Sequence, residues 1–364
     1  MSDPIRMGIV GAAGRGCAYQ IPATVDDRVD VRAVCDVSAE GTARAAEAFD
    51  AGAQYLDFHE MLWEAPLDAV LIATPKEHHV PQCVAALERG LDVLCEVPAS
   101  RSVEESKELV RVVEDSEGTY MLAENDVFRR EWMLVAELVA DGCFGTPYYA
   151  RSERITHSID HINERAWRRT WRTGRNGVTY PTHNLGPVMR WFPGDRIARV
   201  SCAGSGHHHT DLNGEPYAQE DTVVMLANTE RGGLIVHRQD IISDRPPARY
   251  RFELQGTKGC FESAQHADDT HRVSYEDGWE PLRSYEAEYL PDVWRDLPDV
   301  ARETGREGGD YLVFEAFVDA VINNEPAPID VHAGLDMTLP GLVSERSIAN
   351  DGAWVDVPDS RAWV

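Results

Sequence analysis

The sequence has few lysines and a large deficit of positive charge. Only three of the 35 basic residues among its 364 positions are lysines, and 62 acidic residues give a formal charge of −27. Nucleic acids and anionic membranes bind clustered cations, so neither is an expected partner. A carboxylate excess of this size favours adaptation to a salty cytoplasm, where salt screens self-repulsion, with an acidic mesophilic enzyme as the alternative.

Signals for disulfides, metals and membranes are also scarce. The seven cysteines are odd in number and form no Cys-x-x-Cys pair, which argues against a disulfide framework or a zinc site. Consecutive histidines in a polar loop, here 207–209, rarely converge on one ion, so no metal is predicted. No apolar run approaches the roughly 18 residues of a membrane helix, and the first residues lack the features of a secretion signal. We therefore expect a cytoplasmic protein.

Apolar strands and amphipathic helices alternate in the N-terminal third of the chain. The predicted strands are 5–10, 29–35, 68–73, 91–95 and 120–123, and the helices between them are 38–49, 80–89 and 103–117. This alternation is typical of a doubly wound parallel sheet covered on both faces. Residues 1–125 are therefore predicted to form an α/β Rossmann domain, in a chain long enough for two domains.

A glycine-rich loop follows the first strand. Glycines in such a loop permit a tight turn and let the backbone approach a pyrophosphate. Asp36 ends the second strand, where a carboxylate accepts hydrogen bonds from a ribose diol and repels a 2′-phosphate. NAD is therefore predicted over NADP. The loop residues predicted to bind it are Gly11, Ala13, Gly14, Arg15 and Gly16.

Four polar or turn-forming residues follow the later strands. Ligands of open α/β sheets bind at the carboxyl ends of the strands. The residues expected there, beside the nicotinamide half of the cofactor, are Thr74, Pro75, Glu96 and Asn125.

The periodicity changes after residue 125. Helices are predicted at 130–140, 309–322 and 334–349, and extended segments at 147–155, 199–203, 222–228, 233–242, 250–255 and 260–263. Their spacing predicts an α+β domain over residues 126–364, with one antiparallel sheet and helices on one face. Segments 204–219 and 264–306 are predicted as surface loops.

Several motifs together resemble the glucose–fructose oxidoreductase/inositol dehydrogenase (Gfo/Idh/MocA) superfamily over nearly the whole chain. They are the glycine loop, Ala73-Thr74-Pro75 with His79, Glu96-Val97-Pro98, and Gly256-Thr257-Lys258-Gly259. The resemblance implies a Rossmann domain joined to an open-faced sheet that often mediates oligomerisation, hence a homodimer or homotetramer. It adds His79 to the cofactor-binding residues. It also implies oxidation or reduction of a ring carbon of a sugar or polyol with NAD or NADP.

The usual catalytic pattern of that superfamily is incomplete here. Most of its dehydrogenases carry Glu-Lys-Pro and an aspartate four residues before a histidine. This chain has Val97 and Thr179 at those positions, and only His183 remains. A valine cannot relay a proton. Lys76, which follows the Thr74-Pro75 turn, is the candidate to replace the missing lysine.

The variant pattern is most similar to a branch containing NAD-dependent α-N-acetylgalactosaminidases. Those enzymes oxidise the sugar at C3, lose the C2 proton, eliminate the aglycone, add water and reduce the ketone again. The resemblance implies that Tyr180 and His183 line the active site, and that Trp171 and Arg172 lie on the cofactor side.

Three positions differ from that branch. Phe128 and Ala248 replace two tyrosines, and Glu307 replaces a histidine. The loss of two phenols and an imidazole changes hydrogen bonding and acid/base capacity. We therefore expect a saccharide or cyclitol other than an N-acetylgalactosamine glycoside.

Three functions stay open at this point. The first is an NAD(P)-dependent oxidoreductase of sugar, polyol or cyclitol hydroxyl carbons, with His183 and Tyr180 as acid/base. The alternative is an NAD-dependent glycosidase or lyase that uses transient oxidation, elimination and re-reduction. The third is a non-catalytic dinucleotide-binding protein. A run of arginines between Arg165 and Arg175 is either a solvated face or a site for an anionic group on the cofactor or on a substrate such as a uronic acid.

Overall fold

The chain divides into two compact units. The computed structural model describes residues 3–156, 166–243, 248–266, 268–275 and 278–364. The first unit comprises Met1–Arg129, Asp296–Leu335 and Ser360–Val364, and the second comprises Arg130–Arg295 and Asp336–Asp359. Within the described ranges, no helix combines the length and apolar character that crossing a membrane requires.

The first unit contains a six-stranded parallel sheet. Its strands are β1 (Ile5–Val10), β2 (Val29–Cys35), β3 (Ala53–Tyr55), β4 (Ala69–Ile72), β5 (Asp92–Cys95) and β6 (Tyr120–Leu122). They lie in the order β3-β2-β1-β4-β5-β6, and every neighbouring pair is parallel. The predicted Rossmann fold is confirmed. The periodicity missed β3, which has only three residues and buries none of them.

Side-chain caps set where several helices begin. The helices of the described residues are α1 (Gln20–Val25), α2 (Ala39–Ala48), α3 (Phe58–Glu64), α4 (His79–Leu87), α5 (Val103–Asp115), α6 (Arg130–Ala140), α7 (Ala166–Arg172), α8 (Thr182–Arg190), α9 (Glu286–Tyr289), α10 (Asp292–Arg295), α11 (Gly309–Asn323) and α12 (Val331–Ile348). Ser38, Asp57 and Ser102 each accept a hydrogen bond from the backbone N–H three residues later, at 3.1, 2.9 and 3.1 Å. These bonds satisfy amide groups that have no partner inside the helix.

The second unit contains a nine-stranded mixed sheet. Its strands are β7 (Pro147–Ile155), β8 (Ile197–Gly204), β9 (Thr222–Thr229), β10 (Leu234–Asp240), β11 (Ala248–Gly256), β12 (Gly259–Glu262), β13 (Arg272–Tyr275), β14 (Trp279–Pro281) and β15 (Val355–Asp356). The order is β14-β13-β12-β11-β7-β10-β9-β8-β15. Only β7 and β10 pair in parallel.

The second sheet confirms the predicted α+β domain, with two differences. Side-chain alternation is the same in parallel and antiparallel strands, so it could not reveal the parallel pair. Strands β13 and β14 lie in the segment 264–306 that was predicted as loop, because each is only three or four residues long.

Aromatic side chains cover one face of this sheet. Trp132 on α6 lies 4.6 Å from Phe252 of β11, ring centroid to centroid, and Trp191 lies 5.4 Å from the same ring. Trp191 also donates a hydrogen bond from Nε1 to the backbone oxygen of Trp132, at 3.1 Å. This packing fixes α8, whose first seven residues are all buried.

Helix α11 belongs to the first unit, although it follows the second sheet in sequence. Arg28, close after α1, binds Glu315 and Asp319 of α11 at 2.7 and 2.6 Å. The domain boundary predicted from the sequence, at residue 125, instead places α11 in the second domain. Local periodicity cannot show these contacts, because they join residues almost 300 positions apart.

Candidate functional site

The glycine loop turns sharply against the end of β4. Gly11 has a φ of +76°, and a Cβ atom there would lie 2.5 Å from the backbone oxygen of Ala73. Gly14 is exposed, and a Cβ on it would meet only the oxygen of Gly11, at 3.5 Å. The loop is therefore tight at its base and open at its tip, which fits the approach of a diphosphate to the backbone.

Asp36 joins this loop to the end of β2. Its carboxylate accepts hydrogen bonds from the backbone N–H of Ala13 and of Ser38, both at 3.1 Å. Each carboxylate oxygen keeps a further lone pair, so Asp36 can also accept from a ribose diol. Together with the open loop, this donor and acceptor set fits NAD.

The loops after β4 and β5 are tied together by His79. Its imidazole is buried, with Nδ1 3.0 Å from the oxygen of Pro98 and Nε2 2.9 Å from the oxygen of Thr74. Burial lowers the pKa of His79. The geometry gives His79 a positioning role between two loops, with Thr74 and Pro75 half-buried at its side. The hydroxyl of Thr74 donates to Gln82 at 2.6 Å.

Arg15 is held between two carboxylates of the first unit. It donates from Nε to Glu96 at 2.6 Å, and from Nη1 and Nη2 to Asp310 at 2.8 and 2.7 Å. Burial alone would raise the pKa of Asp310, but the hydrogen bonds and charge of Arg15 lower it. The bidentate ion pair fixes the loop containing Arg15 against the start of α11.

Two more side chains complete this network. The buried hydroxyl of Tyr19 donates to Glu96 at 2.6 Å, and burial raises the pKa of Tyr19. Asn125 donates from Nδ2 to Asp310. Oδ1 of Asn125 is buried and has no hydrogen-bond partner among the residues the structure describes. An orphaned buried acceptor in this place fits a bound ligand that carries donors, as NAD does.

The second unit brings Tyr180 and His183 together. The hydroxyl oxygen of Tyr180 lies 2.9 Å from Nε2 of His183, and the two rings meet edge to face. His183 is in the first turn of α8, which the core packing fixes, and only 4% of its surface is exposed. The predicted catalytic pair is thus a hydrogen-bonded pair.

Two glutamines hold the segment that precedes α8, and the sequence analysis missed both. Gln239 accepts from the backbone N–H of Tyr180 at 2.9 Å and donates to the Thr179 hydroxyl at 3.1 Å. Gln219 donates to the oxygen of Gly177 at 3.0 Å. Both glutamines are 1% exposed. Gln239 occupies an inward position of strand β10, and a polar residue at such a position is the sequence signal that could have identified it.

The remaining candidates are placed as follows. Val97 and Phe128 are buried apolar residues, Lys76 is buried after β4, and Glu307 lies in a left-handed turn, with φ 59°, before α11. Trp171 stacks with the guanidinium of Arg175, at 5.1 Å from the ring centroid, while the guanidinium of Arg172 lies 4.3 Å from the Tyr180 ring centroid. Arg165 and the side chain of Ala248 lie outside the described residues.

The consecutive histidines bond within their own loop. Nδ1 of His209 lies 2.6 Å from the carboxylate of Asp221, and Nε2 of His208 lies 2.8 Å from the backbone oxygen of Ser205.

Comparison with known proteins assigns a family to both parts of the chain. Residues 5–124 match the model described as "Oxidoreductase family, NAD-binding Rossmann fold" of the Gfo/Idh/MocA type. Residues 143–363 match "Glycosyl hydrolase 109, C-terminal domain".

Individual relatives cover nearly the whole chain. A glycosyl hydrolase family 109 protein of Saccharopolyspora erythraea is 31% identical, over 98% of this chain and 83% of its own length. An alpha-N-acetylgalactosaminidase of Shewanella oneidensis is 27% identical, over 98% and 85%. The structure of levoglucosan dehydrogenase in complex with NADH and L-sorbose shares the fold, with a TM-score of 0.81, 20% identity and coverage of 98% and 100%. The chain therefore belongs to the Gfo/Idh/MocA oxidoreductase family, within glycosyl hydrolase family 109, and its N-terminal Rossmann domain binds NAD.

Proposed function

We propose that this enzyme uses NAD to oxidise a hydroxyl-bearing carbon of a sugar, polyol or cyclitol, with Tyr180 and His183 as the acid/base pair. The observation that carries the proposal is the 2.9 Å contact between Tyr180 and His183, in a chain whose other unit is an NAD-binding domain. We further propose that the cofactor is held by the glycine loop, Asp36, Thr74, Pro75 and Asn125, with Glu96 and His79 supporting these loops.

The chemistry of the pair follows from its atoms. When bound, the nicotinamide accepts a hydride from the carbon that carries the hydroxyl group. The hydroxyl proton must leave at the same time, and an imidazole or a phenol in contact with the substrate oxygen can accept it. Because Tyr180 and His183 share a hydrogen bond, a proton taken by one can pass to the other. Val97, which stands where most dehydrogenases of the superfamily have a lysine, cannot perform this step.

A second candidate is redox-neutral cleavage of a glycoside. The match of residues 143–363 to the family 109 C-terminal domain favours it. In this reaction the carbonyl formed by oxidation acidifies the neighbouring C–H bond. The base of the pair removes that proton, and the aglycone leaves with a proton from the acid. Water then adds where the aglycone left, as a proton returns to the neighbouring carbon, and the hydride taken up by NAD in the first step would reduce the ketone again.

The substrate proposed here differs from that of the Shewanella relative. Phe128 and Glu307 stand where the resembling branch has a tyrosine and a histidine, and Ala248 replaces a second tyrosine. These changes remove donors that a site for N-acetylgalactosamine would use. They support a different saccharide or cyclitol.

One assay separates the candidates. The enzyme is incubated with saturating NAD and a panel of free sugars, cyclitols and nitrophenyl glycosides, with absorbance followed near ~340 nm and at the nitrophenol band. Accumulating NADH supports the oxidoreductase. Nitrophenol released without net NADH supports the glycosidase. If neither signal develops while NAD still binds, both proposals fail, and the result supports a non-catalytic dinucleotide-binding protein.

We also propose that the protein works in a salty cytoplasm as a homo-oligomer. The charge of −27 with only three lysines supports a salty cytoplasm. Leu226 and Leu234 on the second sheet are 39% and 36% exposed, which supports a homodimer or homotetramer built on this sheet. Light scattering after size exclusion, at low and molar salt, tests both points through the mass and the fraction that stays folded.

A further inference from the structure

Two arginines approach the phenol of the proposed catalytic pair. The guanidinium carbon of Arg172 lies 4.3 Å from the centroid of the Tyr180 ring, and that of Arg154 lies 4.6 Å from it. Arg154 comes from β7 and is 7% exposed, whereas Arg172 ends α7 and is half-buried. Two cations from separate elements therefore meet at the side chain that contacts His183.

One aromatic hydroxyl orients one of these cations. Nη1 of Arg154 donates to the hydroxyl of Tyr250 at 3.0 Å, and its guanidinium carbon is 5.5 Å from the Tyr250 ring centroid. A guanidinium stacked on an aromatic face keeps N–H groups at its edge for a ligand. The stacking thus places the guanidinium charge beside Tyr180 and limits the motion of the arginine.

Two other arginines of the same run, Arg175 and Arg169, lie away from the Tyr180 ring. Arg175 donates to Glu345 at 2.6 and 3.0 Å, so it belongs to an ion pair with α12. Arg169 is exposed on α7. Of the run's described side chains, Arg172 is the one that reaches the Tyr180–His183 pair.

We propose that the substrate carries a carboxylate, as a hexuronic acid or its glycoside does, and that Arg172 and Arg154 bind it beside Tyr180. This inference rests on the proposed function of the same site. Arginine matches the planar carboxylate with two parallel N–H donors, which a neutral hydroxymethyl group cannot use equally. In a chain with a charge of −27, local arginines also offset the long-range repulsion that an anionic substrate meets.

The test uses pairs of glycosides that differ only at C6. Methyl glucuronide is compared with methyl glucoside, and methyl galacturonide with methyl galactoside, by calorimetric titration of the NAD-loaded enzyme. We expect the better uronide to bind about tenfold or more tightly than its neutral partner. Arg172→Gln and Arg154→Gln should each remove most of that preference while the melting temperature stays close to wild type, and Arg154→Gln should also leave the NAD affinity close to wild type.

Arg169→Gln is the matched control, because it removes the same charge from the same helix at an exposed position. It should keep the uronide preference. Equal binding of uronides and neutral glycosides by the wild type would overturn the inference, whatever their turnover. A preference that survives both Arg172→Gln and Arg154→Gln would overturn the assigned residues. Turnover of neutral sugars alone would refute the inference while leaving the proposed oxidoreductase intact.

Discussion

The hydroxyl of Tyr180 and Nε2 of His183 lie 2.9 Å apart, across three residues at the start of α8. Tyr180 immediately precedes the Pro181 cap of this helix and His183 occupies its first turn. The pair is held in place because the first seven residues of α8 are buried and because Gln239 binds the backbone N–H of Tyr180. A preorganised, hydrogen-bonded imidazole and phenol form a candidate pair for general acid–base catalysis.

Removal of either partner should abolish most turnover. We expect His183→Ala and Tyr180→Phe each to lower kcat by about 10²–10⁴-fold, because proton transfer loses its acceptor or its relay. NAD affinity, measured by fluorescence titration, should stay nearly unchanged. His208→Ala, in a loop outside the pair, serves as the control and should keep kcat. A parallel loss of NAD binding in His183→Ala would contradict the assigned role.

Gln239 should act on catalysis through the backbone of Tyr180. Gln239→Met keeps the side-chain volume but leaves the N–H of Tyr180 and the Thr179 hydroxyl without this partner. An unsatisfied buried group costs about 1–3 kcal/mol, so we expect lower stability and a kcat reduced about tenfold, with little change in KM.

Gln255→Met is the comparison, since the side chain of Gln255 on β11 donates to the backbone oxygens of Gly256 and Gly259 and, among the residues that the structure describes, to no other group. It should lower stability without the same effect on kcat. Identical kcat values in the two variants would show that Gln239 has a structural role alone. The pH profile of kcat adds a second readout, because a displaced Tyr180 changes the proton transfer and a merely loosened fold does not.

Gly11 should be essential for NAD binding. Gly11→Ala places a methyl group 2.5 Å from the oxygen of Ala73, so the loop must move away from β4. We expect the dissociation constant for NAD to rise about tenfold or more. Gly90→Ala is the matched control, because Gly90 also has a positive φ, +72°, but a Cβ there meets nothing within 4 Å.

Both glycine variants carry the backbone cost of a left-handed alanine, about 1–2 kcal/mol. Both melting temperatures should therefore fall, that of Gly11→Ala further because of its clash with Ala73, while only Gly11→Ala loses NAD affinity. Equal NAD affinities in the two variants would exclude a contact between this loop and the cofactor.

Glu315 should make stability depend on pH between about 4.5 and about 7. Burial and the nearby Asp26 raise the pKa of Glu315 to about 7, against the opposing charge of Arg28. The folded protein therefore favours the protonated carboxyl. The resulting stabilisation is complete below the ordinary value of 4.5 and is lost as the pH rises through about 7.

Glu315→Gln imitates the protonated form at every pH. The melting temperature of the variant minus that of the wild type should be larger at about pH 8.5 than at about pH 5. Glu325→Gln, which removes an exposed carboxylate just beyond the same helix, should shift the melting temperature equally at the two pH values. A difference of the same sign and size in both variants would contradict the assignment.

Local sequence patterns predicted most of the architecture. The alternation of Val-rich strands and amphipathic helices in the first 125 residues predicted five of the six strands of the Rossmann sheet, and the structure confirms them. The second sheet was harder, because β13 and β14 are short and β7 pairs with β10 in parallel. Strand direction is a property of the pairing, which alternation does not encode.

The candidate site shows the same division. Glycines, Asp36 and the Tyr180–His183 spacing were recognisable because turn geometry and neighbours three residues apart are local properties. The partners of Arg15 were not, since Glu96 and Asp310 lie 81 and 295 residues away. The resemblance pointed to Arg172 as a residue on the cofactor side, and the arginine run pointed to it as part of a site for an anionic group, whereas nothing in the sequence pointed to Arg154.

By itself, then, the chain's amino-acid order determined the Rossmann architecture, the class of cofactor and the spacing of Tyr180 and His183, because each depends on residues close together in sequence. Tertiary structure alone decided that Arg15 is clamped by two carboxylates, that Gln239 holds Tyr180, and that Arg154 and Arg172 meet at its ring. Those contacts depend on which strand lies beside which helix, and hydrophobic packing over hundreds of residues sets that arrangement.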